Sequence, residues 1–192
     1  MSDSAIKNTG LIELLLRDHE LARLLLESFD SFPVSRAERF CEIVHALVAH
    51  EVAEEEVVYP AVRKYIDRGD DLADARLKEQ AEAEGLLIEM ESLDPNSEDF
   101  LALFMNLRAE VLRHAEAEEQ TVFPALTSAV NPDEQIRLGH RYAQAKQAAP
   151  THPHPHSPDT PPDDLTMRPM ATRFDGARDR IRSALRADIR QN

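Results

Sequence analysis

The amino-acid sequence predicts an all-α protein, an up-down-up-down four-helix bundle, and three observations support that prediction. Only 5 of the 192 residues are Gly and only 5% are aromatic, while 30% are charged. This composition is typical of helical proteins rather than of proteins built from strands and turns. Apolar residues also recur at steps of three and four along several long segments. Proline or glycine separates these segments, and helices joined by such short loops favour antiparallel neighbours.

The four long helices are predicted at residues 9–30, 35–67, 71–92 and 98–130, and a shorter fifth helix follows at 133–147. Ser35 and Glu38 have the spacing of a capping box, which marks the start of the second helix. Gly69 ends that helix, and Pro95 and Pro132 separate the later ones. A bundle with a short fifth helix is therefore expected over residues 1–148.

The rest of the chain divides into two further segments. Residues 149–171 are rich in Pro and His, which predicts an extended, solvated linker. Apolar residues at helical spacing from Phe174 to Leu185 predict a C-terminal amphipathic helix over residues 172–192. Residues 165–192 hold seven Arg and three Asp, a net charge of +4. Because the whole chain carries −14, residues 1–164 carry −18. We expect this helix to dock on the acidic bundle or on a second copy of the chain, as a homo-oligomer.

Charge and composition exclude several classes of function. A net charge of −14 argues against nucleic-acid binding, which needs Lys and Arg to neutralise phosphates. No basic N-terminal region precedes an apolar run, and no apolar stretch reaches about 18 residues. We therefore expect no membrane contact and a cytoplasmic location. Cys41 is the only cysteine, which rules out an internal disulfide and a Cys-based zinc site.

Polar residues interrupt the apolar stripe of each long helix near its middle. Because the midpoints of antiparallel helices of similar length lie at one height, the interrupting residues are expected to meet in the core. Burying such ions unpaired costs several kcal/mol each, and a bound metal ion offsets that cost. A His and a Glu four residues apart lie about 40° apart around a helix, so each such pair can chelate from one face. The interrupting residues are His19, His50, Glu54, Gln80, Glu84, His114 and Glu118.

An internal repeat supports the pairing of the second and fourth helices. The pattern His50-x-x-x-Glu54-Glu55-x-x-x-Tyr59-Pro60 recurs 64 residues later as His114-x-x-x-Glu118-Glu119-x-x-x-Phe123-Pro124. Glu55 and Glu119 lie one position further round and are expected to flank the site. A slip of one residue would place Glu55 in the site instead of Glu54, or Glu119 instead of Glu118.

These motifs, together with Asp18-His19 on the first helix, resemble the hemerythrin-like (HHE cation-binding) family over residues 9–130. The resemblance implies a four-helix bundle around a non-haem centre of two iron ions, bridged by carboxylates and an oxo or hydroxo group. It also implies that the protein binds or processes O2, peroxide or NO, in oxidative or nitrosative stress handling. The metal ligands expected here are His19, His50, Glu54, Glu84, His114 and Glu118. The tail is similar to extensions of bacterial, particularly actinobacterial, members.

The third helix departs from the family pattern, in which it usually supplies His. Gln80 and Glu84 occupy the expected positions. One interpretation is an oxygen-richer di-iron centre with Glu84 replacing an imidazole, and the other is a mononuclear site. More carboxylate ligands favour Fe(III), and hence oxidase, peroxidase or catalase-like turnover over reversible oxygen carriage. The alternatives to an enzyme are an iron- or oxygen-responsive sensor and a metal-free scaffold.

Overall fold

A computed structural model describes residues 9–31, 33–90 and 92–149, and within these ranges the regular structure is entirely helical. The predicted C-terminal helix, and all of the predicted linker except Ala149, lie outside the described residues. The elements are α1 (Leu11–Glu27), α2 (Arg36–Ala53), a π-helical turn (Glu54–Val58), α3 (Tyr59–Tyr65), α4 (Gly69–Met90), α5 (Glu98–Gln120), α6 (Val122–Ala129) and α7 (Pro132–Ala148). The all-α prediction and the short fifth helix are confirmed.

The predicted cap of the second helix is confirmed. The Ser35 hydroxyl accepts a hydrogen bond from the Glu38 N–H at 3.2 Å, and the Glu38 carboxylate accepts one from the Ser35 N–H at 3.0 Å. Ser97 and Asn131 cap α5 and α7 through their side chains, each of which accepts a hydrogen bond from the backbone N–H three residues later. These caps satisfy amides that have no partner within the helix.

The second and fourth predicted helices are each interrupted, at the same place in the internal repeat. The Tyr59 N–H donates to the Glu54 carbonyl five residues back, and Thr121 departs from helical geometry with φ −121° and ψ −57°. Each irregularity comes shortly before a proline, Pro60 or Pro124. Proline lacks an N–H, and its ring collides with the carbonyl four residues earlier, so the preceding turn must distort. The sequence marked both prolines, but the helical runs were predicted to continue through them.

The fifth helix is an integral part of the bundle. Helices α1, α2–α3, α4 and α5–α6 form the four-helix arrangement, and α7 packs against α1, α2 and the π-helical turn. Gly139 permits the close approach of α7 to the start of α1, because a Cβ at this position would lie 2.6 Å from the Thr9 carbonyl oxygen. On α1, Leu16, Leu21 and Leu24 remain about half exposed, at 45–54%.

Two apolar clusters make up the core. One contains Leu11, Leu15, Val57, Leu126 and Leu138, and the other contains Leu26, Phe40, Phe100, Phe104 and Leu107. The buried polar side chains predicted to interrupt the stripes are each less than 9% exposed. The bundle thus places a buried polar layer within an otherwise apolar interior, as the sequence predicts.

Candidate metal centre

Four side chains from three bundle helices converge in the polar layer. His19 from α1, His50 from α2, Glu54 from the π-helical turn and Glu118 from α5 each offer one ligand atom, and these atoms all lie within 4.8 Å of one another. Glu54 and Glu118 are completely buried. Two imidazoles and two carboxylates are a donor set that suits iron and related divalent metals.

Several atoms of the polar layer lack hydrogen-bond partners within the described part of the chain. His19 Nε2 lies 3.3 Å from Glu118 Oε2, and His50 Nε2 lies 3.2 Å from Glu54 Oε1. His114 Nε2 lies 3.6 Å from Glu118 Oε2. His19 Nε2, His114 Nε2, Glu54 Oε1 and Glu118 Oε2 are nevertheless buried with no hydrogen bond. Buried polar atoms are rarely left in this state, and cations held in the layer would satisfy them.

The opposite nitrogen of the His19 ring is held from outside the layer. His19 Nδ1 lies 2.8 Å from Glu119 Oε1, which also accepts a hydrogen bond from Arg23 at 2.8 Å. A carboxylate can only accept, so Nδ1 carries the proton and Nε2 presents its lone pair to the layer. The Phe123 ring stacks on the His19 ring with centroids 5.2 Å apart. Glu119 therefore flanks the site, in the place expected for it.

The His50 ring is held by the fifth helix. His50 Nδ1 lies 2.6 Å from the Tyr142 hydroxyl oxygen, and Tyr142 in turn donates to Asp18 at 2.6 Å. Lys146, one turn further along α7, donates to the other Asp18 oxygen at 2.5 Å. Because the Tyr142 proton points to Asp18, its oxygen accepts from His50 Nδ1, which again leaves Nε2 for a metal.

His114 repeats this arrangement on the opposite side of the bundle. Its Nδ1 lies 3.0 Å from Glu79 on α4, and Glu79 pairs with Arg76 at 2.8 Å. All three imidazoles thus have Nδ1 fixed by an outer partner and Nε2 directed inward. Metal-ligating histidines are characteristically held in this way.

Tyr59 and Gln80 bind the remaining oxygens of the two central carboxylates. Gln80 donates to Glu54 Oε2 and to the Tyr59 hydroxyl, each at 2.8 Å. Tyr59 donates to Glu118 Oε1 at 3.1 Å. All of these groups are buried, so the hydrogen bonds are strong and well fixed.

The other two predicted ligands, His114 and Glu84, are not members of the four-residue cluster. His114 approaches Glu118 as described, and Glu84 is buried in the layer at 3% exposure, one helical turn after Gln80. Their participation in metal binding stays a prediction. Glu51, which follows His50 directly, is a further buried carboxylate that the stripe analysis did not identify, because it is not at stripe spacing.

The electrostatics of the layer reflect its crowded charges. Burial lowers the pKa of His50 and His114, but nearby carboxylates outweigh it, so the pKa of His50 lies well above its ordinary value and that of His114 is about 9. Burial would raise the pKa of Glu54, yet the His50 charge brings it well below the ordinary value. Burial and the Glu54 charge raise the pKa of Glu118, and burial raises that of Glu51 to about 8. A cation entering the layer would displace the imidazole protons.

The outer residues are the part of the site that sequence reasoning missed. Tyr142 and Lys146 stand four residues apart on a helix predicted only from its length and breaks, and nothing in their spacing relates them to His50. Asp18 has an unusual environment: burial raises its pKa, but His50, whose Nδ1 lies 3.7 Å from the carboxylate, and the charge of Lys146 reverse the effect and lower the pKa to about 2.

Comparisons with known proteins identify the family that most of the chain resembles. The family model for the hemerythrin HHE cation-binding domain matches residues 10–126. An uncharacterized hemerythrin-like protein of Schizosaccharomyces pombe is 29% identical over 139 residues, which cover 72% of this chain and 68% of the relative. A protein of Nostoc named DNA nickase is 29% identical over 142 residues, 73% of this chain but only 40% of the relative. No solved structure matches the chain at a significant level.

Two further observations complete the description. None of the described helices combines the length and the apolarity needed to span a membrane. The family match covers more than half of the chain and includes every member of the four-residue cluster. The chain therefore belongs to the hemerythrin HHE cation-binding domain family.

Proposed function

We propose that this protein holds non-haem iron, up to two ions per chain, and binds or processes O2, peroxide or NO in oxidative or nitrosative stress handling. One observation carries the proposal: His19 Nε2, Glu54 Oε1, His114 Nε2 and Glu118 Oε2 are buried in the bundle core without hydrogen-bond partners among the described residues. The three histidines are also fixed by outer hydrogen bonds in the tautomer that a metal requires. Iron bound here would supply a Lewis-acidic, redox-active centre that can accept a small ligand.

The residues around the centre have separable roles in this proposal. Glu119, Tyr142 and Glu79 orient the imidazoles, while the apolar clusters on either side limit the access of water. Tyr59 is a buried hydroxyl 3.1 Å from Glu118 Oε1, close enough to exchange a proton with that carboxylate.

Metal content tests the proposal directly. Protein purified after growth with iron should contain iron, and near-ultraviolet charge-transfer bands are expected if two ions share an oxygen bridge. His50→Ala should remove most of the metal, whereas His45→Ala, an exposed His on the same helix, should retain it. Equal iron content in both variants would contradict the assignment of His50.

A regulatory function without turnover is the alternative, and the position of α7 favours it. This helix contacts His50 through Tyr142 and ends at Ala148, directly before the C-terminal segment. A change at the metal could therefore alter how that segment docks. Rapid peroxide consumption by the iron-loaded protein would support an enzyme, and metal-dependent changes in oligomeric state without turnover would support a sensor.

We do not extend DNA cleavage from the Nostoc relative to this chain. The match covers 40% of that relative, and this chain carries a net charge of −14, which repels the phosphate backbone. We propose small-molecule ligands and a cytoplasmic location instead. Retention of duplex DNA by the protein at low salt would contradict this view.

A further inference from the structure

The two central carboxylates each use their oxygens in different ways. Glu54 Oε1 faces His50 Nε2 at 3.2 Å, whereas Glu54 Oε2 accepts a hydrogen bond from Gln80 at 2.8 Å. Glu118 Oε2 faces His19 Nε2 at 3.3 Å, whereas Glu118 Oε1 accepts one from Tyr59 at 3.1 Å. Glu118 Oε2 also lies 3.6 Å from His114 Nε2. On each carboxylate, one oxygen is therefore directed to the imidazoles and the other is already engaged.

The engaged oxygens are those that a second cation would need. A carboxylate that held one ion on each of its two sides would use one oxygen for each ion. Here an amide N–H and a phenol O–H occupy the second oxygens. The orientation of Gln80 is fixed by its partner, because a carboxylate accepts only from the NH2 group of an amide.

The donors hold one another in place. Gln80 donates to the Tyr59 oxygen at 2.8 Å as well as to Glu54, so the Tyr59 proton is left for the carboxylates. Both side chains are about 2% exposed. Moving either group aside would break a buried hydrogen bond, which is costly where the groups are shielded from solvent.

We propose that the two metal positions of this chain are unequal. The strong position is built by His19, His50, Glu54 and Glu118, whose ligand atoms lie within 4.8 Å of one another. On the side of His114 and Glu84, the hydrogen bonds of Tyr59 and Gln80 stand in for a tightly held ion. This inference rests on the proposed metal-binding function and specifies its stoichiometry.

Anaerobic titration of the metal-free protein with Fe(II), read by equilibrium dialysis, tests the inference. The wild-type chain should take up one equivalent tightly and a second at least about ten-fold more weakly. Gln80→His supplies an imidazole in place of the amide and should bring the second equivalent to within a few-fold of the first. Gln144→His, which adds a histidine at an exposed position of α7, is the matched control and should titrate like wild type.

Tyr59→Phe is a second, independent variant. It frees Glu118 Oε1 without adding a ligand, and Phe occupies the equivalent position of the repeat at Phe123. It should also strengthen the second equivalent. Electron paramagnetic resonance with Mn(II) gives a separate readout: isolated ions are expected in wild type at one equivalent, and coupled pairs in Gln80→His at two. Circular dichroism checks that each variant is folded.

The outcomes distinguish a failure of metal binding itself from a failure of the proposed inequality between the two positions. Absence of tight binding in wild type would refute metal binding itself. Two equally tight equivalents in wild type would refute the inequality while leaving metal binding intact. A single tight equivalent that persists in folded Gln80→His and folded Tyr59→Phe would show that these hydrogen bonds do not restrict the second position, which also overturns the inference.

Discussion

Replacing Tyr142 with Phe removes the hydroxyl that links α7 to His50. In the structure this oxygen accepts from His50 Nδ1 and its proton is donated to Asp18, both at 2.6 Å, and Tyr142 is 1% exposed. Loss of the outer partner of a metal-ligating histidine typically costs 10–100-fold in metal affinity, which corresponds to about 1.4–2.8 kcal/mol. The metal-free protein should also lose about 1–3 kcal/mol of stability, because a buried donor is left without a partner.

The matched control is Tyr65→Phe. Tyr65 also donates to a carboxylate, Glu134, at 3.0 Å, but this bond is partly exposed and lies away from the polar layer. Competition with a chelator of known affinity gives the dissociation constant for Fe(II) or Co(II). Urea unfolding of the metal-free proteins gives their stabilities. We expect Tyr142→Phe to lower metal affinity and Tyr65→Phe to leave it unchanged.

Two results would refute this reasoning. Wild-type metal affinity in a folded Tyr142→Phe protein would show that α7 does not position His50. An equal loss of affinity in both variants would show that the effect comes from general destabilisation of the bundle rather than from the bond to His50.

Three further predictions follow from the site and its surroundings. If Glu84 is a ligand, Glu84→Ala should lower metal content, and Glu84→His should preserve metal content with a shifted optical spectrum. A metal content of Glu84→Ala equal to that of wild type would show that α4 contributes no ligand. The His114 pKa of about 9 exceeds its ordinary value of 6.5, so its stabilisation of the metal-free protein is present below pH 6.5 and is lost as the pH rises through 9. Metal affinity should rise over the same interval with proton release, and calorimetric heats that do not depend on the buffer would contradict this. Deleting residues 150–192 should preserve metal content but lower the Tm modestly or change the oligomeric state. The reason is that the half-exposed leucines of α1 offer an apolar surface to that segment. Complete loss of metal from the shortened chain would instead place the tail in the site.

The fold was predictable because periodicity and local breaks act over short distances along the chain. The capping box at Ser35 and the break at Pro132 depend only on neighbouring residues, and both lie where the sequence indicated. The same holds for the polar layer. The midpoints of regular antiparallel helices lie at one height, so the proximity of His19 and Glu118 could be predicted from the sequence. What local pattern missed was distortion: the helical runs were predicted to pass unbroken through Pro60 and Pro124, but the turns before these prolines depart from regular α-helical geometry.

The sequence by itself determined the helical class, the residues of the buried polar layer and the family, because each rests on spacing within one helix or on a repeated motif. Only the tertiary structure decided which atoms face which. It brought Tyr142 to His50 across 92 positions of sequence and Gln80 to Glu54 across 26. Such contacts depend on how one helix is rotated and shifted against another, and that is set by packing of the whole interior rather than by any local pattern. For the same reason, the sequence alone showed only that Gln80 departs from the family pattern. The structure showed that its side chain donates hydrogen bonds to Glu54 and Tyr59.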